Sequence, residues 1–179
     1  MKKKILIGLI ILAVGLWSNL GFAELSQFKP RSEPDGFRGI KWGTDISTLS
    51  DMEYYETDPS YGGTKVYTRK NEDLHLGAAK LERILYYFWR GKFCSVWVST
   101  EGSTNWYGLQ EAVFEKFGKG YQDNEFIEKY FWRGDITGMS LGYNEVSKEG
   151  ELWMSSKEIY EQIKAYKKQK AKEGAEKGF

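Results

Sequence analysis

The residues best equipped for recognition are two tryptophan–arginine pairs, Trp89-Arg90 and Trp132-Arg133. Each lies inside the same pentapeptide, Tyr-Phe-Trp-Arg-Gly, at 87–91 and again at 130–134. An exposed tryptophan stacks on sugar, peptide or aromatic groups, and an arginine beside it stacks or pairs with an anion. Those four residues are the candidate binding set. The pentapeptide also reads as one turn used twice. Gly91 and Gly134 would turn the chain, Phe88 and Phe131 would enter the core, and Tyr87 and Tyr130 would lie on the opposite face. The two tryptophans would then sit at hairpin tips, either exposed or folded back over the sheet edge.

Catalytic chemistry has little to work with. His75 is the single histidine and Cys94 the single cysteine, too few for a zinc site of the usual kind. Neither belongs to a nucleophile motif. Tyr61-Gly62-Gly63-Thr64 lacks the lysine and the spacing of a phosphate loop. Acids such as Glu82, Glu128 and Asp135 could converge as a glycosidase pair. The residues therefore point to no catalytic set, no cofactor and no metal. Cys94 lies in an apolar run and reads as a small buried hydrophobe, with an intermolecular disulfide as the alternative.

Hairpins must position the pentapeptides. Residues 81–100 are rich in aromatic and β-branched types around one central glycine. A three-residue loop ending in glycine would set Phe88 opposite Lys92 and Tyr87 opposite Phe93. One face would then carry Ile84, Tyr86, Phe88, Cys94, Val96 and Val98. The other would carry Leu85, Tyr87, Phe93, Ser95 and Trp97, an aromatic face broken by small polar residues. The same construction over 126–143 puts Ile127, Phe131, Met139 and Leu141 on one face, and Glu128, Tyr130, Ile136 and Ser140 on the other.

Between the hairpins, Leu109, Val113 and Phe117 recur at helical spacing over 103–120. Thr104 or Asn105 can cap the start and Gly118 the end. Earlier, Ile40-Lys41-Trp42 reads as a short strand and Thr44-Asp45 as the cap of a short helix through Ile46, Leu49 and Met52. Residues 53–57, 64–69 and 74–78 read as extended. Glu151 to Ser155 is a last strand, and Ser155-Ser156-Lys157-Glu158 resembles a capping box opening a terminal helix through Ile159, Ile163 and Tyr166. Trp42, Trp97, Trp106 and Trp153 fall inside elements and read as packing. At an offset of 43, residues 81–98 and 124–141 match at Glu82, Ile84 and the whole pentapeptide, which suggests an internal duplication. The expected architecture is α+β, an antiparallel sheet built from hairpins with helices packed on one face.

The ends bear on location. Lys2, Lys3 and Lys4 precede an apolar run from Ile5 to Trp17, and Gly21-Phe22-Ala23 follows. The pattern is that of a secretory signal peptide cut after Ala23, hence a periplasmic or secreted protein; the alternative is an uncleaved anchor. Removal of 1–23 leaves 23 basic against 25 acidic residues. An acidic body argues against nucleic acid as partner, and the cleaved chain would keep no stable membrane insertion. Residues 24–37 read as an extended lead-in, 38–165 as one α+β domain, and 166–179 as a lysine-rich disordered tail. The terminal lysines suit a solvated tail, or contact with anionic lipid or a partner.

Phe37-Arg38-Gly39-Ile40-Lys41-Trp42-Gly43-Thr44 resembles the F-x-G-I-x-W-G-T opening of uncharacterised small secreted proteins of Gram-negative bacteria. Phe114-Glu115-Lys116-Phe117-Gly118-Lys119 is similar to their F-x-K-[FY]-G-K helix end. The likeness covers 37–157 and implies an envelope compartment and an α+β build, with no known activity. In element order alone, the chain also resembles small envelope proteins of the β-lactamase-inhibitor-like fold.

Taken together, the residues lead to a non-catalytic envelope or periplasmic protein that binds another protein or a polymer through its sheet face or hairpin tips. The alternative is a periplasmic carboxylate hydrolase with carbohydrate stacked on Trp89 and Trp132.

Overall fold

The computed structural model describes residues 28–59 and 62–178. The signal-peptide pattern lies outside them. A small hairpin comes first, β1 (Gly36–Phe37) with β2 (Ile40–Lys41), followed by a 3-10 turn at Ile46–Thr48. Then come β3 (Met52–Asp58), β4 (Thr64–Arg69), a second small hairpin of β5 (His75–Leu76) and β6 (Ala79–Lys80), β7 (Arg83–Trp89) and β8 (Lys92–Glu101). Helix α1 (Ser103–Phe117) leads to β9 (Lys129–Arg133), β10 (Thr137–Asn144), β11 (Glu149–Ser156) and α2 (Lys157–Gly178).

Seven strands form one antiparallel sheet in the order β3-β4-β7-β8-β11-β10-β9. One face carries the main core: Tyr86 and Phe88 from β7, Phe93, Val96 and Val98 from β8, Leu152 and Met154 from β11, Met139 and Leu141 from β10. Helix α1 closes that face with Trp106, Leu109, Val113 and Phe117. Burying each such side chain is worth roughly 1.5–3 kcal/mol. Val96 and Met139 share this face, as the two-hairpin argument requires.

The α+β class and the antiparallel sheet hold. The placement of both helices on one face does not. Ile159 and Ile163 of α2 pack with Trp89 and Cys94, and Tyr87 and Tyr166 join them. Tyr87 and Trp89 alternate with Tyr86 and Phe88 along β7, so α2 lies against the face opposite α1. The composition of 166–178 suggested disorder, yet α2 runs unbroken to Gly178. Its charged stretch carries the ion pairs Lys164–Glu161 and Lys170–Glu173, each at 2.7 Å.

The β7–β8 hairpin turns on two residues, not three. Arg90 (φ 51) and Gly91 (φ 79) both occupy the left-handed region, so Trp89 pairs with Lys92 and Phe88 with Phe93. The register then shifts, Tyr87 pairing with Ser95, and Cys94 is the extra residue of a bulge. That bulge returns Val96 and Val98 to the expected face and exchanges the places of Phe93 and Cys94. Arg38-Gly39 forms the same kind of turn in the β1–β2 hairpin, with φ of 46 and 82.

The third Arg-Gly, at 133–134, is not a turn tip. Gly134 donates its N–H to Thr137 O, so Asp135-Ile136 makes the turn. A Cβ on Gly134 would fall 1.9 Å from Glu33 Oε1. That oxygen instead accepts the N–H groups of Ile136 (2.6 Å) and Thr137 (2.8 Å). The lead-in is thus part of the fold: Glu33 caps a hairpin, and Phe28 meets Phe117 edge-on at 5.8 Å.

Smaller departures follow local chemistry. Asp45 caps the 3-10 turn by accepting from Ser47 N, and Met52 opens β3 instead of ending a helix. Residues 74–78 fold into a tight hairpin with Gly77 at φ 60. Gly102, without a side-chain cap, precedes α1. Asn105 holds Glu101 O and Lys80 N, and Gly118 (φ 82) ends the helix as expected.

Candidate functional site

The two pentapeptides face opposite ways. In β7, Phe88 points into the main core while Tyr87 and Trp89 face α2. In β9, Tyr130 and Trp132 point into the main core, and Phe131 lies on the other face. The expected inward Phe131 and outward Tyr130 are therefore reversed. The second hairpin pairs Met139 with Trp132 and Leu141 with Tyr130; the expected loop would have set Met139 opposite Ile127, so β9 is displaced by five residues, an odd number that exchanges its faces. Sheltered polar groups favour this phase. Tyr130 Oη donates to Glu128 Oε2 at 2.7 Å, and Trp132 Nε1 donates to Gly118 O at 3.1 Å. Burial, then Glu128, pushes the Tyr130 hydroxyl up to about 12.

Neither tryptophan is at an exposed tip. Trp89 is 4% and Trp132 1% exposed, on opposite faces of the sheet, so one ligand cannot stack on both. Each secures a helix. Trp132 holds the C-terminal end of α1 and packs where Gly120 has no Cβ. Trp89 meets Tyr166 of α2 edge-on at 6.0 Å. Arg90 is exposed, but its guanidinium lies 4.4 Å from the Trp89 ring centre and 4.8 Å from that of Tyr166. Arg133 is exposed at the end of the edge strand β9, away from Arg90.

Glu128 and Asp135 line separate cavities, the first of about 230 Å³ with Glu149 and Glu151, the second with Asp35 and Glu158. His75 Nδ1 is 2.8 Å from Asp73 Oδ1, and its carbonyl accepts from Arg38. That guanidinium also pairs with Glu72, which accepts from the buried Tyr86 hydroxyl at 2.8 Å. These bonds close the end of the core. Burial raises the Cys94 thiol above its ordinary value, which keeps it protonated and unreactive.

What stands open is the middle of the face opposite α1. The registers align Leu85, Trp97, Trp153, Ser140 and Phe131 side by side across five strands. Leu85 is buried at one end, so at about 4.8 Å per strand the open part, from Trp97 to Phe131, is about 14 Å long. Trp153 is 36% exposed, and Trp97 and Phe131 are half-buried. The flanking rows are mostly small: Ser95, Ser155 and Gly138 follow Tyr87 on one side, and Ser99 and Gly142 stand either side of Glu151 on the other. Tyr87 extends the surface, 5.0 Å from Trp153; Glu151 puts a negative charge beside the row, and Arg83, Lys129 and Arg133 supply positive charge at its margin.

Trp97 and Trp153 read from the sequence as packing residues, and the row they form emerges only in the folded sheet. Its signal was available in the face listing Leu85, Tyr87, Ser95 and Trp97, where aromatics alternate with serines. The cross-strand partner Trp153 depends on the pairing of β8 with β11, which no local pattern announces. No protein-family model matches the chain, and neither the curated proteins nor the solved structures hold a significant match to it. No helix among the described residues is long and apolar enough to cross a membrane.

Proposed function

We propose that the chain is a non-catalytic binding protein of the cell envelope that holds a polymer of sugar rings against its open sheet face. The observation carrying this reading is the row of partly exposed rings, Trp97, Trp153 and Phe131, bordered largely by serine and glycine. Sugar rings stack the C–H face of their chairs on such a surface through dispersion and the π face, and the flanking hydroxyls offer hydrogen bonds. The envelope compartment rests on the N-terminal pattern of lysines, apolar run and Gly-Phe-Ala.

Co-sedimentation with insoluble polysaccharide from the envelope tests the binding. The protein pellets with the polymer, and a Trp97→Ala/Trp153→Ala variant loses at least tenfold in affinity while its melting temperature falls by only a few degrees. Equal pelleting of the two proteins would sink the proposal.

A further inference from the structure

The two edges of the sheet are finished differently. At β9, Tyr121 donates its N–H to Phe131 O and accepts the Phe131 N–H, each at 2.8 Å, so that edge is covered. At β3, nothing among the described residues pairs with the outer side of Glu53–Thr57, and all of these residues are exposed. The strand holds Glu53, Glu56 and Asp58 and no base. The register assigns its faces. Glu56 pairs with Val66 and Val66 with Tyr87, while Glu53 pairs with Thr68, so both glutamates stand on the face that carries α2. The bulge at Tyr55 allows this, because the inserted residue brings positions 53 and 56 to one side. Tyr54 stands on the other face, 59% exposed and edge-on to Tyr67 at 5.9 Å. Asp58 shares the face of the glutamates but is already engaged within the chain, and Lys70 reaches Glu53 only at 3.7 Å.

We infer that β3 takes up an extended segment of another protein as a further strand, one whose alternate residues are lysine or arginine. An open edge offers a row of N–H and C=O groups that an added strand satisfies, and the side chains along it set which strand fits. Glu53 and Glu56 face β4 residues two apart, Thr68 and Val66, and so face residues two apart in the added strand as well. Bases at those two positions meet the glutamates. The residue between them falls on the Tyr54 side, where an apolar side chain covers the exposed ring. The pattern selected is base, apolar, base. A second copy of the chain is the wrong occupant, because two β3 strands side by side bring like charges together on one face. Binding at this edge does not depend on what the open face holds.

Fluorescein-labelled Thr-Lys-Val-Lys-Val-Lys-Thr serves as the probe, with anisotropy reading its affinity and amide exchange its position. It binds saturably and slows exchange in residues 53–57, while exchange in β9 stays unchanged. A peptide of the same composition with its lysines in one block, Lys-Lys-Lys-Thr-Val-Val-Thr, binds more weakly, which separates strand register from bulk charge. Glu53→Gln/Glu56→Gln weakens the alternating peptide about tenfold, through loss of two exposed charge pairs. Glu53→Lys/Glu56→Lys reverses the preference and takes Thr-Glu-Val-Glu-Val-Glu-Thr instead. Both positions are exposed, so these variants keep the fold. No protection of 53–57, equal affinity for the two lysine peptides, or full affinity in the glutamine variant would overturn the assignment. A dimer in sedimentation equilibrium that the peptide dissociates would also overturn it, by giving the edge to a second copy.

Discussion

The guanidinium of Arg90 lies 4.8 Å from the ring centre of Tyr166, and so ties a hairpin turn to the terminal helix. The same cation covers Trp89 at 4.4 Å. Beyond Ile159 and Ile163, α2 buries no residue among those described, so this clamp is the last anchor before a run of charged, exposed turns. A desolvated cation–π contact is worth about 2 kcal/mol and an exposed one less. Arg90→Ala should cost about 1 kcal/mol and speed amide exchange in residues 163–170, while exchange in α1 stays unchanged. Glycine at position 90 adds a control, because it suits the positive φ of 51 but cannot clamp.

The inverted pentapeptides make unequal demands on tryptophan. Trp132 lies inside the main core with its indole N–H on Gly118 O. Truncating a buried tryptophan to alanine costs about 3–5 kcal/mol. Trp132→Ala should therefore approach global unfolding, with loss of α1 signal in circular dichroism. Trp89→Ala removes a wall from the smaller cluster beneath α2. It should lower the melting temperature less and release α2 first. Equal losses in the two variants would contradict the division into two cores.

Acid should loosen the turn at Asp45. Its carboxyl is held down to about 2, first by the Ser47 backbone N–H, then by the Ser47 hydroxyl and Lys92. A depressed carboxylate contributes stability that is full above the unfolded value of about 4 and is lost as pH falls toward 2. The turn it caps is joined to the β7–β8 hairpin, Ile46 N donating to Gly91 O at 2.8 Å. Melting curves between pH 5 and pH 2 should fall more steeply for the native chain than for Asp45→Asn. The carboxyl ¹³C resonance of Asp45 should titrate near pH 2.

A stabilising change is available at Thr100. This residue is buried and its hydroxyl has no partner. It adjoins Gly150, where a Cβ would fall 2.6 Å from Thr100 Oγ1. Thr100→Val keeps the shape and removes the unpaired group, for a gain of about 1 kcal/mol. For a chain of this size that is about 2–4 °C in melting temperature. A fall would show that the hydroxyl is bonded in solution.

Much of the fold was legible because period and burial agree. Leu109, Val113 and Phe117 mark α1 at its helical spacing, and Val96, Val98, Met139 and Leu141 mark the inward face of two strands. The illegible parts were decided by single residues. Cys94 as a bulge residue cannot be told from Cys94 as a ladder residue by alternation, and one inserted residue exchanges the faces of its neighbours. Arg90 at positive φ runs against the steric preference that made a three-residue loop attractive. The phase of β9 was set by Gly118 and Glu128, partners that the local sequence does not reveal. The open row was hidden for the same reason, since Trp97 and Trp153 meet only through the β8–β11 pairing.

That pairing, from Ser95 with Ser155 to Glu101 with Glu149, is the joint between two runs of strands that are otherwise local in sequence. Each run can zip from its own turns in microseconds, but the joint has to close a loop containing α1, β9 and β10. Refolding should thus be paced by the late meeting of two half-sheets, and a chain caught before that step would expose two unpaired strands ready to join a neighbouring molecule.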